Sequence, residues 1–453
     1  MNINIIKKIA LSVLFIATPL LQAQAANEKD YDEVLARYVE TTGPGVAVIM
    51  TQNGKTLYKK ARGLANIELQ VPLTTNSVFR LGSITKQFTG AAIMMLVEQG
   101  KLSLTDNLHK YVPDFPTEGN KVNIKHLLTH TSGIANYTDD EQIWRKELQV
   151  PTTLDEMIIR FAKHPMALKV GEANRYSNTA YVLLGKIIEV ASGKSYADFI
   201  EQDIFAKLDM KNSRYGGVQI IPNRASGYSE GKDGYVNADY IDMMWPHAAG
   251  SLLSTVDDMN IWFNALRNGE LISKASYKLM TSPVALNDGT LSNYGFGLGM
   301  FKLNKYEAIG HGGGIHGFVT NAFYLPETDL YVAVLNNYDS GNPRDIALNL
   351  AALALDIPLP SFNRVSLTKA ELKPLMGEYK LASGDVRKIF MENGKVYSVR
   401  GEGHKWQIEP YAKNAFFYQG SLSYFTIEQA VDGNAVMNFY SNLSNTPEVA
   451  VKQ

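Results

Sequence analysis

The sequence predicts an α+β protein: a mostly antiparallel sheet with helical layers, followed by a small C-terminal antiparallel β-barrel. Three observations carry that expectation. Strand-like runs stand at both ends of the first three quarters of the chain, with helical periodicity between them. The segment Ile357-Pro-Leu-Pro360 then breaks the pattern. Beyond it, short apolar runs alternate with turn signals at the spacing of a small barrel or sandwich.

Taken in order, the first residues read as an address. Lys7 and Lys8 precede the apolar run Ile9 to Leu21, which ends in Ala23-Gln24-Ala25. A basic start, a short apolar stretch and an A-x-A site predict a secretory signal peptide over residues 1–25. The mature protein is then expected from Ala26, secreted or periplasmic. No cysteine adjoins the cleavage site, which argues against a lipid anchor. A domain follows over 26–356. Val46 to Met50 and Thr56 to Tyr58 flank Asn53-Gly54, the signature of a hairpin. A helix is expected from Ser83, with Phe88, Ala91, Ala92, Met95 and Leu96 on an apolar face and Gly100 closing it. Helix starts are read at Ser177-Asn178 and at Ser254-Thr255-Val256-Asp257. Strands are expected at Tyr294–Met300, Ala322–Leu325 and Leu330–Leu335, then a helix from Asp345 to Leu355. Residues 357–372 read as a linker and 373–453 as the barrel. Its seven expected runs start at Gly377, Val386, Lys395, Gln407, Ala415, Tyr424 and Ala435, with turns such as Asn393-Gly394 and Asp432-Gly433.

Composition excludes several functions. The chain of 453 residues carries 44 basic and 45 acidic side chains, a net charge of −1, with the lysines scattered. No electrostatic footprint for a nucleic acid results. There is no cysteine, so disulfides, thiolate chemistry and cysteine zinc sites are excluded together. No apolar run reaches the length of a membrane span. At 45% hydrophobic residues the chain can build a large core.

Three short patterns carry chemistry. In Ser83-Ile84-Thr85-Lys86 a hydroxyl and an amine lie three residues apart, on one face of a helix. Such an amine, dried by burial and near the positive helix end, becomes a base that can activate serine. The same residues read equally as a helix cap and a solvated lysine. Tyr176-Ser177-Asn178 opens the next helix. The phenol can relay a proton beside a lysine cation, and the amide can orient a lysine or substrate; or both are a half-buried aromatic and a cap. Gly310-His311-Gly312-Gly313-Gly314-Ile315-His316-Gly317 feeds a strand whose bare backbone can approach a ligand or supply oxyanion donors. It can also be a plain glycine turn with two surface histidines.

Set in this order, the three patterns resemble those of the penicillin-recognising serine hydrolases, in the branch of class C β-lactamases, D-alanyl-D-alanine carboxypeptidases, D-aminopeptidases and esterases. That family carries Ser-x-x-Lys, Tyr-x-Asn, and Lys-Thr-Gly or His-x-Gly. The segments Lys125 to Gly133 and Ala248 to Asp258 look like its connecting stretches, and the likeness runs from about Gly45 to Leu355. The resemblance implies a β-lactamase/transpeptidase-like fold. It also implies that Ser83 is acylated, that Lys86 and Tyr176 share the proton work, and that Asn178, His311 and Gly313 orient the substrate. The backbone N–H groups of Ser83 and Gly314 would form the oxyanion hole. His311 stands where β-lactamases usually carry lysine, which points to peptidase or esterase members. The C-terminal part resembles the lipocalin-like barrels appended to some of these hydrolases.

Three other patterns are set aside. Gly227-Tyr-Ser-Glu-Gly231 fits Gly-x-Ser-x-Gly but leads into a turn and strand. Gly312-x-Gly314-x-x-Gly317 matches a dinucleotide fingerprint but leads into a strand, not a phosphate-binding helix. His126 and His130 lack the glutamate and third ligand of a zinc site. Met94-Met95 and Met243-Met244 read as core or cleft packing. The expected function is an exported, cofactor- and metal-free serine hydrolase acting through a Ser83 acyl-enzyme on a small peptide, with D-residues among the options, or on an ester. A short-chain carboxylesterase, a weak β-lactamase and a slowly deacylating penicillin-binding sensor are the alternatives. The barrel shapes the cleft, binds a ligand or gathers subunits into a homo-oligomer, with His404 and Trp406 as contact residues.

Overall fold

The computed structural model describes residues 26–453, apart from Pro165, Glu402, His404, Gly420, residues 430–433, Asn445 and the side chain of Arg145. The expected signal peptide, His404 and the Asp432-Gly433 turn lie outside the described residues.

Strands β1 (Val46–Gln52) and β2 (Lys55–Arg62) form the expected hairpin. Asn53 and Gly54 turn it with φ of 51° and 72°, the left-handed pair that asparagine and glycine tolerate. Far along the chain come β3 (Gly299–Leu303), β4 (Tyr306–Ile315), β5 (Phe318–Leu325) and β6 (Leu330–Asn336). The sheet order is β3-β4-β5-β6-β1-β2. The two ends of the domain are therefore joined by β1 against β6, from Val46 opposite Asn336 to Gln52 opposite Leu330. This is the antiparallel sheet closed by both ends of the body.

The expected strand over Tyr294–Met300 is corrected: regular pairing begins only at Gly299. A Cβ at Gly295 would lie 1.9 Å from the Met280 carbonyl, and one at Gly297 2.2 Å from that of Lys86. With φ of +77° at Gly297, the run is a tight loop seated on the helix that bears Lys86.

Alternation in β1 and β6 divides the apolar interior. Ala47, Ile49, Ala333 and Leu335 face one core, which contains α2 (Thr85–Glu98), α3 (Asn178–Ser192) and α4 (Val256–Asn268). Val46, Val48, Met50, Val332 and Val334 face a second core with α1 (Glu28–Tyr38) and α5 (Pro343–Ala354). Every residue of α2 from Thr85 to Leu96 is buried, so this helix is enclosed on all sides rather than on one face.

The C-terminal part is a closed barrel of eight antiparallel strands, each next to its sequence neighbour. These are β7 (Gly377–Leu381), β8 (Val386–Glu392), β9 (Lys395–Arg400), β10 (Trp406–Ala412), β11 (Ala415–Tyr418), β12 (Tyr424–Gln429), β13 (Ala435–Tyr440) and β14 (Glu448–Lys452). The eighth strand closes the barrel, with Tyr379 opposite Lys452. Tyr379, Ile389, Phe416, Phe425 and Met437 fill the interior. Loops at one end dock on the sheet. Leu422 and Leu443 join the second core, and Arg344 Nη2 donates to Asn442 Oδ1 at 2.8 Å. Among the described residues no helix is long and apolar enough to cross a membrane.

Candidate active site

Ser83 sits in a single 3₁₀ turn, Gly82–Ile84, that runs into α2. Its side chain does not cap the helix; Thr85 instead accepts the Leu252 N–H at 3.1 Å. Gly82 has φ of +54°, and a Cβ there would lie 2.8 Å from the Gly314 nitrogen. Only glycine lets the Ser83 turn approach β4 this closely. Thr320 Oγ1 donates to the Leu81 carbonyl at 2.8 Å and holds the turn against the sheet. Past Gly310, β4 loses its partner β3, so residues 311–315 form a free edge beside Ser83.

Lys86 is 0% exposed. Its Nζ lies 3.0 Å from Ser83 Oγ, 2.8 Å from Asn178 Oδ1 and 2.8 Å from the Ala249 carbonyl. Burial holds its pKa well below the ordinary lysine value, and no carboxylate offsets the effect. The bond set fits a neutral amine. In that form two N–H groups would donate to the two obligate acceptors, Asn178 Oδ1 and Ala249 O, and the lone pair would face the Ser83 hydroxyl. The rings of Tyr176 and Tyr181 lie 4.7 and 5.4 Å from Nζ.

Ser177 caps α3, accepting from the Ala180 N–H, and this turn places Tyr176 and Asn178 on either side of the helix entrance. Asn178 donates its backbone N–H to Asn136 Oδ1 at 2.9 Å. Burial raises the Tyr176 pKa, opposed by hydrogen bonding with Ser83. The sequence argument invoked a lowered tyrosine pKa beside a lysine cation. The sign is reversed because desolvation by burial outweighs every other influence on the phenol.

His311 meets the Tyr294 hydroxyl through Nε2 at 2.8 Å and the Gly312 carbonyl through Nδ1. A carbonyl only accepts, so Nδ1 carries the proton and Nε2 accepts from the tyrosine. Burial and the Lys86 side chain push its pKa down to about 4, leaving it neutral at pH 7. Gly313 is fused to the nucleophile turn: a Cβ would lie 1.9 Å from the Leu81 carbonyl. Gly314 is open, with nothing within 4 Å of such an atom. Ser83, Lys86, Tyr176, Asn178, His311, Gly313 and Gly314 thus surround one place.

Two contributors were not among the site residues expected from the sequence, although His130 was weighed there and set aside as a zinc ligand. His130 has φ of 56°, accepts the Ser177 N–H at Nδ1 (3.1 Å), and stacks at 4.3 Å from the Tyr176 ring. The Ala248 and Ala249 carbonyls accept from Thr89 and Lys86 of α2. Both lie in segments that carried the family likeness, which was the available signal.

A cleft of about 270 Å³ opens over Ser83, Asn178 and Gly314. Trp144, Leu148, Ile241, Pro246 and Ile315 supply apolar walls. Trp144 stacks 5.2 Å from His316. The patterns set aside fall elsewhere. Ser229 lies on the hairpin Tyr228–Gly231/Gly234–Asn237, bonded to Asp339. Gly312 to Gly317 belong to the β4–β5 hairpin, with no helix after it. His126 accepts the Asn123 N–H at 3.3 Å in a helix cap. Among the described residues no cluster of side chains suits a metal.

An antiparallel sheet flanked by helices, with a serine at the head of a buried helix against a buried lysine, defines a serine hydrolase of the penicillin-recognising class. The chain belongs to the Beta-lactamase family, whose model matches residues 25–356. It is 29% identical to penicillin-binding protein 4* of Bacillus subtilis over 89% of this chain and 94% of that protein. It is 26% identical to a D-aminopeptidase of Gluconobacter oxydans, over 70% of this chain and 60% of that one. Among solved structures, it is similar to the octameric penicillin-binding protein homologue from Pyrococcus abyssi. That likeness has a TM-score of 0.65 and 28% identity, over 94% of this chain and 99% of the other. A D-amino acid amidase from Ochrobactrum anthropi matches with TM-score 0.62 and 25% identity, over 73% of this chain and 96% of the other.

Proposed function

We propose that this protein is an exported hydrolase that cleaves amide bonds in small peptides through a Ser83 acyl-enzyme. The observation that carries the reading is the bond set of Lys86, a fully buried amine 3.0 Å from Ser83 Oγ and held there by Asn178 Oδ1 and the Ala249 carbonyl. Lys86 takes the Ser83 proton as Oγ attacks the carbonyl carbon. The N–H groups of Ser83 and Gly314 receive the developing oxyanion. The proton passes by way of Tyr176 to the leaving nitrogen, whose bond to carbon breaks. Water then attacks the ester and the same groups return the proton to Ser83. The apolar walls of the cleft suit a hydrophobic side chain beside the scissile bond. The names of two relatives, a D-aminopeptidase and a D-amino acid amidase, support substrates with D-residues. The basic and apolar leader supports export, and the full-length likeness to an octameric homologue supports assembly.

Intact-mass spectrometry with a fluorophosphonate tests the nucleophile. Wild type is expected to gain one adduct and Ser83→Ala none; an adduct on Ser83→Ala sinks the assignment. Release of amine from D- and L-aminoacyl amides then tests the bond cleaved, with p-nitrophenyl esters as the comparison. Turnover of esters without any amide would overturn the amidase reading.

A further inference from the structure

A second cavity, about 490 Å³, lies between the mouth of the barrel and the sheet. On the sheet side it is lined by Asn321 of β5 and the start of α5, including Asp345. Asn321 is opposite Gly312 in the β4–β5 ladder. Phe323, two residues on and so on the same face, belongs to the second core. The cavity therefore adjoins the face of the sheet away from α2 and the Ser83 cleft.

On the barrel side, Arg387, Trp406, Tyr418 and Phe439 line it. Each stands two residues from a core residue (Ile389, Ile408, Phe416 and Met437), so all four take inward positions at one rim. Below them the barrel is filled. The mouth is thus a shallow cup closed by the sheet.

Two buried polar groups in this cup are unmatched. Arg387 is 7% exposed; its Nη1 donates to the Tyr418 hydroxyl at 2.8 Å and its Cζ stacks 4.0 Å from the Phe439 ring. Its Nε has no hydrogen-bond partner, and its Nη2 pairs with the Glu448 carboxylate only as an ion pair at 3.8 Å, beyond hydrogen-bond reach. Asn321 is 6% exposed, and its Oδ1 accepts from nothing. Leaving a buried charged donor and a buried amide acceptor unsatisfied is costly, and such pairs are rare unless something fills the gap. The first asks for an anionic acceptor, the second for an N–H donor. The Asp345 carboxyl, which already accepts from Ser421 and the Leu422 backbone N–H, adds further acceptor lone pairs to the same wall, while Phe439, Leu348 and Leu422 supply apolar surface.

We propose that this cup is a binding site for a free α-amino acid with an apolar side chain, its carboxylate on Arg387 and its ammonium toward Asn321 and Asp345. The site is separate from the Ser83 cleft and does not depend on what Ser83 does. Its ligand is a product class of peptide hydrolysis, and it rests against Gly312 and Gly313, the strand that also borders the catalytic cleft.

Titration calorimetry on the full-length protein tests it with three probes that the enzyme cannot turn over. Phenylalanine, of either hand, is expected to bind. Phenylalaninol, which lacks the carboxylate, and 3-phenylpropanoate, which lacks the amine, are each expected to bind about tenfold more weakly or worse. Arg387→Met is expected to weaken phenylalanine by a similar factor while leaving the rate of fluorophosphonate labelling at Ser83 unchanged. The proposal is overturned by equal binding of phenylalanine and phenylalaninol, by full binding in Arg387→Met, or by no binding of phenylalanine at about 10 mM. The probe comparison uses wild type alone, so it stands even where Arg387→Met fails to fold.

Discussion

Replacing Gly313 by alanine separates two structures that the fold welds together. The new Cβ would sit 1.9 Å from the Leu81 carbonyl oxygen and 2.4 Å from Thr320 Oγ1. Relief to an ordinary contact near 3.4 Å requires a retreat of about 1.5 Å. Leu81 cannot retreat alone. Its N–H donates to the Leu252 carbonyl at 2.8 Å, and its own carbonyl accepts from Thr320 at 2.8 Å. The displacement therefore falls on the gap between the Gly82-Ser83 turn and β4, which is the gap the two proposed oxyanion donors span. Moving one donor by 1.5 Å amounts to losing it, about 100- to 1,000-fold in kcat, or about 3 to 4 kcal/mol. Gly314→Ala is the control, because its Cβ meets nothing within 4 Å. The assay is steady-state hydrolysis of a p-nitrophenyl ester alongside thermal unfolding of both variants. Gly313→Ala is expected to remain folded at 25 °C with kcat reduced by that factor, and Gly314→Ala to keep kcat within about tenfold of wild type. A folded Gly313→Ala with wild-type kcat, or equal damage from the two alanines, refutes the reasoning.

Four further outcomes follow from the site. If the neutral form of Lys86 is the base, kcat/KM rises with pH through a value well below 10.5. Tyr176, with its pKa raised, adds no falling limb below about pH 10. Asn178→Asp puts a carboxylate where Oδ1 now accepts from Lys86, so the rising limb of a pH–rate profile should move up by about one to two pH units. An unmoved limb would assign it to another group. His311→Lys replaces a neutral ring by a cation at the cleft edge. Acylation by benzylpenicillin, followed by intact mass, should then speed up about tenfold relative to labelling by an uncharged ester; an unchanged ratio denies that residue 311 reads the substrate carboxylate. Trp144→Ala removes an exposed wall of the cleft, so KM should rise about tenfold for an aromatic acyl group and stay level for acetyl esters. Equal KM changes for both would place the acyl group elsewhere.

What was legible in the sequence was local. Asn53-Gly54 fixes a turn by backbone sterics, and Ser177 fixes a helix start by one hydrogen bond, so both hairpin and helix stand where they were read. Strand β14 was missed because it points only Ala450 inward, leaving little apolar signal. Helix α1 was missed for a similar reason: of its eleven residues only Tyr31, Val34 and Leu35 are buried. The Tyr294–Met300 run has strand-like residues, but the close approach of Lys86 and Met280 backbone to Gly297 and Gly295 bends it into a loop. At the site, the motif order brought Ser83, Tyr176 and His311 into consideration together. Their charges were not legible, because burial is set by every element that packs around them.

Those charges bear on what the cleft can select. Burial leaves Lys86, His311 and His130 all below their ordinary pKa values, and Tyr176 above its own. At neutral pH His311 and His130 therefore carry no charge, so the histidine at the sheet edge offers no fixed cation to a carboxylate next to the scissile bond. In the proposed mechanism the reaction makes an oxyanion at the Ser83–Gly314 gap and an ammonium at Lys86, together in a desolvated pocket where their mutual attraction is strong. Selection is left to the shape of the apolar walls and to backbone donors along the free edge of β4. Such a centre suits a neutral amide flanked by an apolar side chain better than an anionic lactam. Restoring a fixed cation at position 311 is therefore the change that should most alter the choice between them.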